Sequence, residues 1–391
     1  MKYFLIAGEA SGDLHAARLM KALKAKDTQA EFRFIGGDEM SAVSDGRFRH
    51  FSTLAFMGFI PVICHLRTIL RGMAECRREI ETWRPDAVIL VDYPGFNMKM
   101  ARHVTRKALC PVYYYIAPKV WAWKEHRVKA LRRDVNHLYL ILPFETDFFV
   151  KKHGLQATYV GNPTRDEIAE YLQAHPRRSP RRGLVALLPG SRQQEIKDNL
   201  SRMVKAARAV DQERQAANPD QPRLHLVVAA APSVPLSLYE EVLRQGGVAP
   251  TDADIVCGET WRILSEAETA MVTSGTATLE TALFGVPQVV CYHVAAGPLV
   301  SLLRKWLLHV PFVSLVNLIC GREAVRELVA GDMTPRTLRE GLEEILPGGS
   351  RREAVLAGYA ELETKIGQPG APDRCAEDII KKLKADSTAK D

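Results

Sequence analysis

A chain of 391 residues is long for one core and fits two domains of ordinary size. Its 47% hydrophobic and 25% charged residues exclude a disordered or fibrous protein. A net charge of +7 favours anionic partners, without choosing among nucleic acid, a membrane surface and phosphorylated substrates.

In chain order, residues 1–7 are a short apolar run leading into a glycine-containing loop, which reads as a first buried strand (4–7) and not as a signal peptide. A loop at 8–12 and a helix at 13–24 follow. No window reaches the roughly 18 uninterrupted apolar residues of a membrane span, although residues 54–64 and 297–320 come near it. Strands follow at 32–35, 87–91, 112–116, 138–142 and 158–160. These short runs of Val, Ile and Tyr, spaced by helical patterns, are the signature of a parallel sheet covered on both faces. Gly161-Asn162-Pro163 closes the last of them, one helix follows, and residues 174–182 form a basic, proline-containing linker. The pattern restarts with strands at 184–188, 224–230, 254–257, 269–272 and 288–291, then ends in helices at 335–346, 351–366 and 375–384. The expected fold is α/β, with two doubly wound parallel-sheet domains (1–165 and 166–350). C-terminal helices at 351–391 should pack back or onto a partner subunit. Seven scattered cysteines with no Cys-x-x-Cys pair suit reduced thiols in a cytosol.

In open parallel sheets, ligands bind beyond the carboxyl ends of the strands. Gly8-Glu9-Ala10-Ser11-Gly12-Asp13 follows the first strand. It is neither a dinucleotide fingerprint nor a P-loop, so it reads as a turn a ligand can approach, or as a tight turn only. Asp92 ends an apolar strand, where partial burial would make it a useful base; the alternative is a helix cap. Gly190 and Ser191 offer backbone donors, and Arg192 a planar fork for phosphate. Ser274, Gly275 and Thr276 open another helix, whose N-terminus attracts anions. Two such loops favour a diphosphate pocket over ordinary capping by Ser274 and Thr276. Tyr113, Tyr114, Tyr115, Trp121 and Trp123 read as core and cleft wall, not as a nucleic-acid stacking platform. No Asp-x-Asp pair stands at a strand end, so neither a metal nor a cofactor is expected.

The segments GEASGD (8–13), AFMG (55–58), VDYPGFN (91–97), APKVWAWKEHRV (117–128), LPFE (142–145), VGNP (160–163), LLPGSR (187–192), SGTATLE (274–280) and SLVNLICGRE (314–323) run in one order over residues 1 to about 330. Together they resemble the bacterial lipid-A-disaccharide synthase family, inverting glycosyltransferases built from two Rossmann-like domains (the GT-B type). The resemblance implies transfer of a sugar from UDP-2,3-diacylglucosamine to 2,3-diacylglucosamine 1-phosphate. The products would be the β-1,6-linked lipid A disaccharide 1-phosphate and UDP. It implies that Asp92 is the essential aspartate, Arg192 the essential arginine and Asn317 a nucleotide-site asparagine. Glu9, Ser11, Ser191, Ser274, Gly275, Thr276, Glu280 and Glu323 are the further expected nucleotide- and substrate-binding positions. Val316 and Cys320 stand where the family usually has proline and a small residue, beside the matching polar positions.

The expected mechanism is in-line displacement in a cleft between the domains, with UDP on the second domain and Asp92 of the first as base. Acylated substrates place the enzyme on the cytoplasmic face of the inner membrane. There the apolar Phe56, Phe59 and Ile60, followed by Arg67 and Arg71, fit a monotopic docking element, with residues 299–308 as the next candidate. No nucleic acid is expected, and a homodimer is open. The other readings are a UDP-N-acetylglucosamine 2-epimerase-like enzyme and a non-catalytic nucleotide-sugar-binding protein.

Overall fold

The computed structural model describes residues 1–53, 66–176, 179–293 and 311–388. It divides into two compact units, Met1–Asp166 with Gln368–Asp391, and Glu167–Gly367. The strands of the first unit are β1 (Lys2–Ala7), β2 (Glu31–Gly36), β3 (Arg47–His50), β4 (Ala87–Val91), β5 (Val112–Tyr115), β6 (His137–Leu140) and β7 (Ala157–Tyr159). They pair in parallel in the order β3-β2-β1-β4-β5-β6-β7. All five β4 residues are buried, as a central strand covered on both faces requires. Its register sets Ala7 beside Val91 and Val91 beside Tyr115, so the ends of β1, β4 and β5 lie together.

The helices up to the boundary are α1 (Ala10–Lys26), α2 (Asp38–Ser41), α3 (Leu66–Trp83), α4 (Pro94–Arg106), α5 (Val120–Trp123), α6 (Val128–Asp134) and α7 (Pro163–Ala174). Helix α1 begins at Ala10, earlier than its sequence pattern indicates, because the Asp13 amide already closes a turn onto the Glu9 carbonyl at 2.9 Å. Strand β3, Arg-Phe-Arg-His, lacks an apolar run and escapes sequence reading.

The second unit carries β8 (Leu184–Leu188), β9 (His225–Ala230), β10 (Asp254–Cys257), β11 (Thr269–Thr273), β12 (Gln288–Tyr292) and β13 (Glu327–Val329), in parallel order β10-β9-β8-β11-β12-β13. Its helices are α8 (Gln193–Ala217), α9 (Leu236–Gln245), α10 (Thr260–Glu266), α11 (Thr276–Leu283), α12 (Leu315–Cys320), α13 (Pro335–Glu343) and α14 (Arg352–Ile366).

The residues after 350 part company. Helix α14 belongs to the second unit, and a final helix, α15 (Ala371–Thr388), to the first. Cys375, Ala376, Ile379, Ile380 and Leu383 of α15 join the core that contains Ala16, Leu19, Met20 and Leu23 of α1. Burial of Ile379, Ile380 and Leu383 is worth roughly 1.5–3 kcal/mol each. The Asp166 carboxylate accepts from the amides of Gly370 and Ala371 at the start of α15, and Arg374 donates to the Val160 carbonyl at 2.7 Å. Among the described residues no helix is long and apolar enough to cross a membrane.

Candidate functional site

Asp92 follows the last residue of β4 and takes a left-handed backbone, φ +43°, as does Tyr93, φ +46°. Such conformations cost non-glycine residues roughly 1–3 kcal/mol each and cluster at functional sites. Tyr93, not Asp92, is the N-cap of α4, no side chain caps that helix, and Pro94 supplies its preset first residue. The capping alternative for Asp92 therefore falls. The half-buried Asp92 carboxyl is pushed above the ordinary aspartate range by burial, against the opposing pull of Lys119, the Tyr93 amide and His15.

The GEASGD turn has two separate tasks. Gly8 leaves room for the Tyr93 ring, whose atoms would lie 2.3 Å from a Cβ there. Asp13 is buried, and its carboxylate accepts from the amides of Gly37 (2.6 Å), Glu39 (3.0 Å) and Met40 (3.3 Å) at the start of α2. Glu9 is half-buried at the N-cap of α1, and Ser11 is exposed in its first turn.

A second carboxylate stands at the end of β6, where sequence reading had continued the strand to 142. Glu145 is 1% exposed and accepts from the Trp121 indole N–H (3.0 Å) and the amides of Ile141 (3.2 Å) and Leu142 (3.1 Å). Burial pushes it up to about 7. It ties the APKVWAW and LPFE segments together and keeps the exposed Lys119 within electrostatic reach of both Glu145 and Asp92.

In the second unit, Gly190 turns at φ +115° after β8, and Arg192 is the N-cap of α8. Of the two amides expected to face a phosphate, that of Ser191 is already engaged. Glu195 Oε2 accepts from Ser191 N–H (3.1 Å) and Arg192 N–H (3.3 Å), and its Oε1 from Arg192 Nη1 (3.1 Å). The Arg192 side chain remains 73% exposed, so the part of its fork beyond Nη1 is open to an incoming anion.

Gly275 and Thr276 are exposed at the start of α11, and no side chain caps that helix. Ser274 donates instead to the Val313 carbonyl at 2.8 Å, and Thr278 Oγ1 accepts from the Leu315 amide at 3.3 Å. These bonds bring the SGTATLE and SLVNLICGRE segments together. Glu280, raised by burial, accepts from Trp261 Nε1 at 3.0 Å. Both line a pocket of about 400 Å³ beyond β10, with Tyr171, Gly258 and Arg262. A groove of about 700 Å³ along α8, α9 and α13 contains none of the expected residues.

Asn317 is 0% exposed, and its side chain is spent inside the protein. Its Nδ2 donates to the Val325 carbonyl (2.8 Å) and Glu327 Oε1 (2.9 Å), and its Oδ1 accepts from the amides of Ala324 (2.8 Å) and Val325 (2.9 Å). It holds the loop after α12, with both side-chain polar atoms paired inside the protein. Glu323 is exposed and pairs with Arg351 at 2.8 Å.

Phe56, Phe59 and Ile60, and the alternative stretch 299–308, lie outside the described residues. Arg67 falls in the first turn of α3, and Arg71 is exposed and paired with Glu75 at 2.9 Å. Among the described residues no group of three His, Cys, Asp or Glu side chains could hold a metal ion. Sequence reading did not single out Lys119, Trp261 and Glu145, which the structure places beside Asp92, Glu280 and Lys119 respectively. The signal available was their place inside or just beyond short loops at strand ends.

A family model described as lipid-A-disaccharide synthetase matches residues 3–369. The lipid-A-disaccharide synthase of Myxococcus xanthus is 37% identical over 98% of this chain and 97% of its own length. That of Acidobacterium capsulatum is 34% identical over 94% and 92%. Among solved structures, S. aureus MnaA with UDP superposes with a TM-score of 0.66 at 12% identity, covering 98% of this chain and 97% of its own. A calicheamicin glycosyltransferase gives 0.56 at 16% identity, covering 98% of both chains. These structural likenesses show the shared two-domain GT-B fold.

Proposed function

The chain belongs to the lipid-A-disaccharide synthase family and is a hexosyltransferase, and from that premise we propose that it joins UDP-2,3-diacylglucosamine to 2,3-diacylglucosamine 1-phosphate. Asp92 takes the proton from the acceptor 6-hydroxyl as that oxygen bonds to the donor C1. The C1–O bond to UDP breaks in the same step, and the electron pair leaves with the diphosphate. Direct displacement inverts C1 and makes the β-1,6 link. The open fork of Arg192 and the uncapped start of α11 at Gly275 and Thr276 meet the diphosphate charge, and Glu280 and Trp261 flank the pocket beside it. The reading also puts the enzyme on the inner face of the inner membrane, where both acylated substrates reside.

The observation that carries this reading is Asp92, a half-buried carboxyl of raised pKa on a strained turn at a strand end. The deciding assay follows UDP release from the diacyl donor with and without acceptor. Release that requires acceptor, with a disaccharide 1-phosphate as product, supports the transfer. Turnover without acceptor supports an epimerase-like reaction, and absence of release with both lipids a binding protein.

A further inference from the structure

We propose that Asn97 and Tyr114 are positioning residues that lock the Asp92–Tyr93 turn and so aim the Asp92 carboxyl at the acceptor hydroxyl. The inference rests on the reading of Asp92 as base. Beyond β4 the Asp92 carbonyl takes two donors from two different elements. The Tyr114 phenol of β5 donates to it at 2.6 Å, and Asn97 Nδ2 of α4 at 2.8 Å. The Val91 carbonyl at 3.2 Å and the Ile6 carbonyl of β1 at 3.3 Å lie within reach of the same Nδ2, so its two N–H donors are shared among three strand-end carbonyls. Both side chains are 0% exposed. The Tyr93 ring stacks on Phe96 at 5.8 Å between centroids and lies over Gly8, where no side chain fits.

Glycine adopts positive φ freely and would make the same strand-to-helix turn without strain. This chain instead keeps an aspartate and a tyrosine at consecutive left-handed positions and commits two fully buried donors to one carbonyl. Those donors fix the Asp92 backbone. Its Cα–Cβ direction follows from φ and ψ, so the lock fixes where the carboxyl starts its reach. A carboxyl held half-buried there faces Lys119, His15, the Tyr93 amide and the Tyr114 phenol. Released from the lock it can turn toward water, and the burial that raises its pKa is relieved.

Tyr114→Phe tests this, since it removes one hydroxyl and keeps the ring. Rates are taken per folded molecule, counted by circular dichroism at the assay temperature. The expected result is a kcat about tenfold lower or less, with donor KM within about twofold. The acid limb of the pH profile should move to lower pH. Added to Asp92→Asn, the same change should cost nothing further, because it acts through the carboxyl. The lock is overturned if Tyr114→Phe keeps wild-type kcat and acid limb while Asp92→Asn is inactive. Losses that multiply in the double variant overturn it too, because they mark a general structural role. An Asp92→Asn enzyme of near wild-type rate defeats the reading of Asp92 itself, and the lock with it.

Discussion

Under the proposed mechanism Asp92 and Arg192 need opposite surroundings, and Asp92 is half-buried while the Arg192 side chain is exposed. A proton acceptor gains strength from burial, whereas a guanidinium that meets a substrate phosphate must stay open. Asp92→Asn keeps the shape and a hydrogen-bonding oxygen, so it removes charge alone. Turnover should fall ~10²–10⁴-fold with UDP affinity retained. Because burial raises the Asp92 pKa, its active, deprotonated form is lost as pH falls through a value above the usual aspartate range. The acid limb of kcat/KM should lie there and be absent in Asp92→Asn. Arg192→Ala should lower UDP affinity and turnover together, by roughly ten- to hundredfold. Titration with UDP and steady-state rates check it, and near wild-type values in both would place the diphosphate elsewhere.

Among elements, the loops show where sequence reading stops. Asp92 was legible because a charge directly after five apolar residues must sit at a strand end. The engagement of the Ser191 amide was not, because Glu195 reaches back from inside α8 to a donor four residues earlier. The SLVNLICGRE segment shows the same limit. An asparagine in a polar motif suggests ligand contact, yet Asn317 pairs with groups seven to ten residues onward that no spacing announces. Asn317→Ala should strand the Ala324 and Val325 amides, at about 1–3 kcal/mol for each buried group left unpaired. Urea unfolding should register that loss, and any fall in UDP affinity should track it. Unchanged stability would return Asn317 to direct nucleotide contact.

For the whole molecule, the parallel sheets were readable from apolar runs, but the partition of the last helices was not, because an apolar helix face does not say which of two cores it fills. Truncation after residue 367 removes α15 and uncovers the α1 face of the first core. The truncated chain should lose the first unit's cooperative unfolding transition in calorimetry, while the second unit still melts. The membrane reading makes a different prediction. Serine at Phe56, Phe59 and Ile60 should free the protein from anionic vesicles with its melting temperature nearly unchanged, and salt should weaken parent binding. Unfolding of the triple variant would instead make these residues core.

The return of α15 also dictates an order of events at the ribosome. Lys26 of α1 meets Glu377 of α15 across 351 residues of chain. At about 5–20 residues per second, the ribosome takes roughly 20–70 s to deliver that partner. The second unit has its entire sequence at residue 367, before α15 is made, while the first waits through the whole interval with an apolar face uncovered. The N-terminal half, made first, is therefore the half completed last.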